Sequence, residues 1–430
     1  MRYLPIGKEL FIQNRQNLAK LLPPHAMAIF HSNDIMPTNA DGTMGFRQNN
    51  DLFYLSGIDQ EESILLLFPD SQEPKHREIL FLRETSEHIA IWEGHKYTKE
   101  EGMETSGITS IFWAQDFSRI LHGLMTECEY VYLNSNEHTR AVIEVETREA
   151  RFIRFMKEHY PLHDYKRVAP LMHQLRAIKS EKEVELIKTA CSITEKAFRR
   201  LLTFVKPGVM EYEIEAELYH EFLRNRSKGP AYTPIIASGA NACVLHYIEN
   251  NQFCKDGDVL LLDVAAEYAN YASDMTRSIP VNGRFTPRQK QVYNAVLRVM
   301  KEATQLLVTG NIWDDYHKEV GKIMEKELIG LGLLDATAVK NQDPDKPLYR
   351  KYFMHGTSHF LGLDVHDVGN KYRRFEPGMV FTCEPGIYIP EESLGIRLEN
   401  NILITKDGNI DLMASIPIEA EEIEALMNSK

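Results

Sequence analysis

The chain has 430 residues, too many for one typical domain, so two or three are expected. With 43% apolar and 26% charged residues it can build a real core and is too apolar for disorder. A net charge of −13, without any Lys/Arg cluster of the kind that tracks phosphates, argues against a nucleic-acid-binding surface. Five cysteines, Cys128, Cys191, Cys243, Cys254 and Cys383, are scattered, odd in number and outside any CxxC pair. That pattern speaks against a disulfide framework or a thiolate zinc site and fits a reducing compartment. The opening MRYLPIGKELFIQNRQ lacks an apolar signal core, and no run approaches the ~18 apolar residues of a membrane span. The expectation is a soluble, cytoplasmic protein with no membrane partner.

In chain order, Lys8 to Leu22 has helical apolar spacing, with Leu10, Phe11, Leu18 and Leu21 on one side. Short apolar runs typical of buried strands follow: AMAIFHS, DLFYLSG, SILLLFP, EILFLR, ITSIFWA and YVYLNS. Polar and helical pieces such as DFSRILHGLMTE lie between them, so the first ~165 residues read as an α/β domain. Its conspicuous spots are RQNNDLFYLSG and IWEG, the latter carrying Trp92. The pattern resets near Asp164 to Pro170, and we place the boundary there, with domains over 1–170 and 171–430. A long helix is expected from Ser180 to Val205, its apolar positions Val184, Ile187, Ala190, Ile193, Ala197 and Leu201. Lys206-Pro207-Gly208 ends it, and GVMEYEIEAELYHEFLRNR makes a second amphipathic helix.

The second domain carries nearly all the unusual polar residues. TPIIASGANACVLHY delivers His246, and DVLLLDVAAEYANYASDMTRSIPV delivers Asp263 and Asp274 in or beside strand-like runs. FMHGTSHFLGLDVHDVG then places His355, His359 and His366 in a span whose glycines argue for strands and turns over a helix. VFTCEPGIYIP provides Glu384, and GIRLENNILIT provides Glu399. Each of the four carboxylates sits in a segment that reads as buried, where an unpaired charge is costly unless it meets a cation. Structural ion pairs would satisfy them, but only Arg277 and Arg397 lie close in sequence. Two divalent ions would balance four carboxylates, with His359 as a neutral fifth ligand. Oxygen donors with one imidazole suit Mn2+, and Fe2+, Co2+ or Zn2+ also fit. Two metals generate hydroxide at neutral pH and polarise a carbonyl, and the other histidines can move protons. The residues by themselves therefore lead to a dinuclear hydrolase without naming its substrate.

HGTSHFLGLDVHDVG, TCEPGIY, GIRLEN and LLLDVAAEYANYASDMTRS resemble the motifs of aminopeptidase P, the Xaa-Pro aminopeptidases, and RQNNDLFYLSG extends the likeness into the first domain. The resemblance implies an α/β protein with a smaller creatinase-like N-terminal domain and a pita-bread C-terminal catalytic domain. It implies that Asp263, Asp274 and Glu399 bind one metal, Asp274 and Glu399 bridging to a second that His359 and Glu384 complete. A hydroxide bridging the two metals would attack the carbonyl before the proline nitrogen. His246, His355 and His366 would contact substrate, stabilise the intermediate and assist proton transfer, and Arg397 would orient Asp263. Tyr388 matches an aromatic near the proline subsite, and Trp92 one that reaches a neighbouring subunit's site in a homodimer or tetramer. The implied reaction releases the first residue of peptides with proline second. Such a bond lacks an N–H and is conformationally restricted, which defeats general peptidases. An Xaa-Pro dipeptidase and a non-catalytic binding protein of the same fold are the alternatives.

Overall fold

The computed structural model describes residues 2–141 and 144–429. Two compact units are present, one over Tyr3–Leu175 and the other from Arg176 onward.

The first unit is a six-stranded sheet. Its strands are β1 (Ala26–His31), β2 (Ile64–Leu67), β3 (Glu78–Leu82), β4 (Ser110–Trp113), β5 (Tyr130–Leu133) and β6 (Asp164–Arg167), in the order β4-β3-β2-β1-β5-β6. β1 and β2 run antiparallel, while β5 lies parallel to β1 and β6 parallel to β5. β1 and β2 are buried along their whole length, which is why both read as unbroken apolar runs. Met27, Ile29, Leu66 and Phe81 of the sheet pack against Phe117 and Leu121 of the helix Phe117–Leu124 and Phe152 of the helix Arg148–His159.

DLFYLSG, expected as a strand, is the helix Asn50–Ser56. A short apolar run cannot distinguish a buried strand from a buried helical turn, and here the caps decide. The Asn49 side chain accepts hydrogen bonds from the Asp51 and Leu52 backbone N–H groups, and Gly57 ends the helix at φ 70°. Gly57 is demanded a second way, because a Cβ there would lie 2.3 Å from the Phe11 ring. β6, with the sequence DYKR, carries no apolar alternation because it is a polar edge strand.

In the second unit the long helix runs over Glu181–Phe204. Ser180 and Glu183 close a reciprocal capping box at its start. The helix Glu211–Arg224 follows. The strands are β7 (Ile235–Ser238), β8 (Val259–Asp263), β9 (Glu267–Tyr268), β10 (Tyr271–Ala272), β11 (Thr276–Pro280), β12 (Val380–Cys383), β13 (Gly386–Ile389), β14 (Leu394–Arg397), β15 (Asn400–Thr405) and β16 (Gly408–Asp411). They form two antiparallel three-stranded sheets, β11-β8-β7 and β12-β15-β16, and two short ribbons, β9/β10 and β13/β14. The helices Pro287–Leu306 and Trp313–Gly330 pack on each other between the two sheets in sequence. Among the described residues, no helix is long and apolar enough to cross a membrane.

Candidate metal centre

The four carboxylates sit at strand ends, where regular pairing gives way. Asp263 is the last residue of β8, Asp274 lies between β10 and β11, Glu384 follows β12, and Glu399 precedes β15. Register brings them together. Thr276 pairs with Asp263 across β11/β8, and the Glu399 N–H donates to the Thr276 carbonyl at 3.0 Å. The histidine segment, largely irregular, runs antiparallel beside β12. The Leu361 N–H donates to the Val380 carbonyl, the Thr382 N–H to the His359 carbonyl, and the Glu384 N–H to the Thr357 carbonyl. His355 and His359 therefore owe their closeness to this ladder and not to a helical face.

One ligand atom each from Asp274, His359 and Glu399 falls within 4.8 Å of the others. His359 Nε2 is 3.3 Å from Asp274 Oδ2 and 3.4 Å from Glu384 Oε1. Its Nδ1 lies 2.9 Å from the Phe360 carbonyl, an acceptor for the Nδ1 proton. Nε2 faces the carboxylates, where, against the lowering effect of burial, Asp274 and Glu384 raise the imidazole's pKa. Glu399 is buried and accepts from Thr276 Oγ1 at 2.7 Å. Asp263 and Glu384 keep 15% and 19% of their side-chain surface, so the cluster is closed at the back and open in front. Arg397 donates to Asp263 Oδ2 at 2.6 Å through Nη2, to Tyr388 Oη at 2.8 Å through Nη1, and to Thr276 Oγ1 through Nε. With its oxygen taken by Arg397, Tyr388 donates its own proton to His355 Nε2 at 2.8 Å, and His355 Nδ1 faces the Gly356 carbonyl. His366 packs edge-on to His359, ring centroids 4.3 Å apart. His246 is exposed on the loop after β7, near enough for its charge to act on His355. Trp92 stands on the helix Glu87–Glu93 of the first unit, 77% exposed, outside this cluster of residues.

That loop is pinned from below. Glu211, fully buried, accepts from the Ser238 N–H and hydroxyl on Oε1 and from the Tyr247 hydroxyl and the Gln252 N–H on Oε2. Both ends and the middle of Ser238–Gln252 converge on one carboxylate. β14 crosses over the same loop at Gly395, where a Cβ would lie 2.2 Å from the Ala242 carbonyl oxygen.

Tyr232 was not singled out from the sequence, yet its hydroxyl donates to Asp263 Oδ1 at 2.5 Å. Asn401 holds Asp274 through its backbone, accepting from the N–H and donating to the carbonyl. Thr276 bonds Glu399 from two residues beyond Asp274, an alternation the sequence does display. Tyr232 gives no such signal, being 31 positions from its partner.

The electrostatics call for added cations. Burial, followed by repulsion from Asp274, Glu384 and Asp263, pushes Glu399 well above the carboxylate range. Burial pushes Glu384 up to about 7, and Asp274 is raised as well, burial first. Arg397 stays cationic against its burial because Tyr388, Asp263 and Glu399 surround it. Arg277, the other nearby arginine, gives its guanidinium to the carbonyls of Pro417, Thr276 and Glu399 and to Asn400 Oδ1, and to none of the four carboxylates. Burial, followed by the Arg397 charge, drives His355 down to about 4, so it is neutral at pH 7. Carboxylate oxygens with one oriented imidazole, short of positive charge, are a donor set that fits divalent ions.

A model of metallopeptidase family M24 matches residues 185–406, and one of the aminopeptidase P N-terminal domain matches residues 11–132. The chain belongs to metallopeptidase family M24, and the α/β architecture of N-terminal and catalytic domains expected from the sequence is the one it has. More particularly, it is 34% identical over 440 residues to an Xaa-Pro aminopeptidase of Escherichia coli (strain K12), with 98% of each chain covered. It is 31% identical over 419 residues to Xaa-Pro aminopeptidase 3 of Homo sapiens, covering 92% of this chain and 78% of that one. The solved structure of Pseudomonas aeruginosa aminopeptidase PepP superposes with a TM-score of 0.87 at 32% identity, 98% of both chains covered.

Proposed function

We propose that this chain is an Xaa-Pro aminopeptidase, a metallo-aminopeptidase that releases the first residue of peptides with proline in the second position. The observation that carries it is the buried, charge-deficient cluster of Asp274, Glu384 and Glu399 around His359, in a chain similar along its whole length to Xaa-Pro aminopeptidases. In this reading Asp263, Asp274, His359, Glu384 and Glu399 would together hold two divalent ions. Such ions supply, when bound, a water ionised at neutral pH and a Lewis acid for the scissile carbonyl. Arg397 holds Asp263 in its ligating orientation, with Tyr232 on its other oxygen. His355, kept neutral and tethered through Tyr388 to Arg397, offers an imidazole that costs no charge to bury beside substrate. His246 and His366, exposed at the rim, meet the peptide and assist the proton that must reach the departing prolyl nitrogen, since that nitrogen carries none of its own. Tyr388 lies fully buried with its hydroxyl engaged on both sides, so its part in the proline subsite runs through His355.

Manganese is the ion we favour, for the oxygen-rich donor set. We take 1–170 as the N-terminal domain and 171–430 as the catalytic domain, in a cytoplasmic homo-oligomer in which Trp92, exposed on the first unit, reaches a second copy. The test is a matched pair of substrates, Xaa-Pro and Xaa-Pro-Yaa-Yaa, given to the manganese-loaded protein with a chelator-treated control. Cleavage of the longer peptide, abolished by chelation, is expected. Cleavage of the dipeptide alone makes the protein an Xaa-Pro dipeptidase, and cleavage of neither makes it a binding protein.

A further inference from the structure

Beneath the histidine loop lies a second charged cluster that contributes no ligand. Asp367 is buried, and its two carboxylate oxygens are taken by different cations: Arg176 Nη2 at 2.5 Å on Oδ1 and Lys179 Nζ at 3.0 Å on Oδ2. The same Arg176 nitrogen reaches Asp364 Oδ2 at 2.8 Å. Arg176 and Lys179 are themselves buried, and with Asp364 and Asp367 the four charges cancel. The loop they grip is closed on itself. The Asp367 N–H donates to the Phe360 carbonyl at 2.9 Å and the Gly362 N–H to the Asp364 carbonyl at 3.0 Å. His359 opens this loop, and His366 precedes Asp367.

We infer that Arg176, Lys179 and Asp367 form a positioning clamp that fixes where His359 and His366 stand relative to the carboxylates. A buried ion pair is weak evidence for stability, because desolvation consumes most of the attraction. What it does supply here is direction: two cations on two oxygens stop the Asp367 carboxylate from rotating, and the backbone carrying His366 is fixed with it. The fit is tight, since a Cβ on Gly362 would come within 2.1 Å of Asp367 Oδ2 and 2.9 Å of Lys179 Cε. The activity readout below rests on the proposed function, and the exchange readout does not.

The test uses the full-length, manganese-loaded protein and three variants. Asp367→Asn removes the grip and leaves excess positive charge buried. Asp367→Asn with Lys179→Met removes one anion and one cation, so the charge balance is kept. Gly362→Ala crowds the clamp without touching any charge. In the balanced double variant and in Gly362→Ala, backbone hydrogen exchange should rise about tenfold or more in peptides spanning 359–368, with β12 and β15 unchanged. The kcat for an Xaa-Pro-Yaa-Yaa peptide should fall about tenfold or more with KM within about threefold and both ions retained, the signature of misplacement without lost binding. Exchange in 359–368 within twofold of the unvaried protein overturns the clamp, and so does a rise spread evenly over the chain. If the unvaried protein is inert toward Xaa-Pro peptides while exchange rises locally, the clamp stands and the functional reading falls.

Discussion

Glu399 is enclosed by Asp274 on one side and Thr276 on the other, with Arg397 and Arg277 close enough for their charges to act on it. Under the proposed function a carboxylate so placed would help hold both ions. Replacing it with Ala, or replacing Asp274 with Ala, should therefore empty both positions, while His355→Ala should keep two ions and lose rate. Metal counting by mass spectrometry on the purified variants checks this, and two ions in Glu399→Ala would contradict that shared role. Tyr232→Phe removes the hydroxyl that bonds Asp263 and also bears on Asp274. Partners of that kind are worth about 10–100-fold in metal affinity, and competition with a chelator should show a loss in that range. At this scale much of the site was legible in the sequence. A carboxylate in an apolar run is conspicuous because burying it is costly, and Asp263, Asp274, Glu384 and Glu399 each stood out that way. Tyr232 and Arg176 did not, because a tyrosine or arginine beside a helix or strand is ordinary until its distant partner is known.

Elements place these residues, and here the reading from sequence was more uneven. The helices Glu181–Phe204 and Glu211–Arg224 declared themselves through period and caps. Asn50–Ser56 did not, since seven residues of mostly apolar sequence carry no period long enough to read, and only Asn49 and Gly57 betray the helix. The loop Ser238–Gln252 was legible only as a run delivering His246. What holds it is Glu211, from a helix read as merely amphipathic. Glu211→Gln would set an amide NH2 against one of the two pairs of donors. Each charge-assisted bond lost costs about 1.5–3 kcal/mol, enough to free the loop. We expect KM for an Xaa-Pro peptide to rise about tenfold, with kcat less affected and both ions retained. Steady-state kinetics beside a metal count distinguishes this from damage to the centre itself.

For the whole molecule, the same cluster makes stability depend on pH in a direction that metal reverses. Without ions, Glu384 holds its proton to about 7 and burial raises Glu399 too, whereas in the unfolded chain both titrate in the ordinary carboxylate range. The native state then binds more protons than the unfolded one, so stability is fully present at low pH and is lost as pH rises through that window. In chelated protein, Glu384→Gln should accordingly melt higher than the unvaried chain at about pH 8 and no differently at about pH 4. With metal restored the order at the higher pH should invert, because ligation stabilises only the chain that keeps its donor. Thermal melts at the two pH values, with and without metal, test the sign.

The missing Cβ of Gly395 has a bearing on redesign. Because β14 lies against Ala242 with no room for one more carbon, a methyl group at 395 would act as a wedge that lifts the whole His246 segment. Mutational libraries that include this position will mostly yield inactive clones, and their failure will say nothing about substrate preference. Val244 and Ile248, each 54% exposed on either side of His246, carry no such penalty. They form a tolerant margin on a fixed template, and altered selectivity is best sought there.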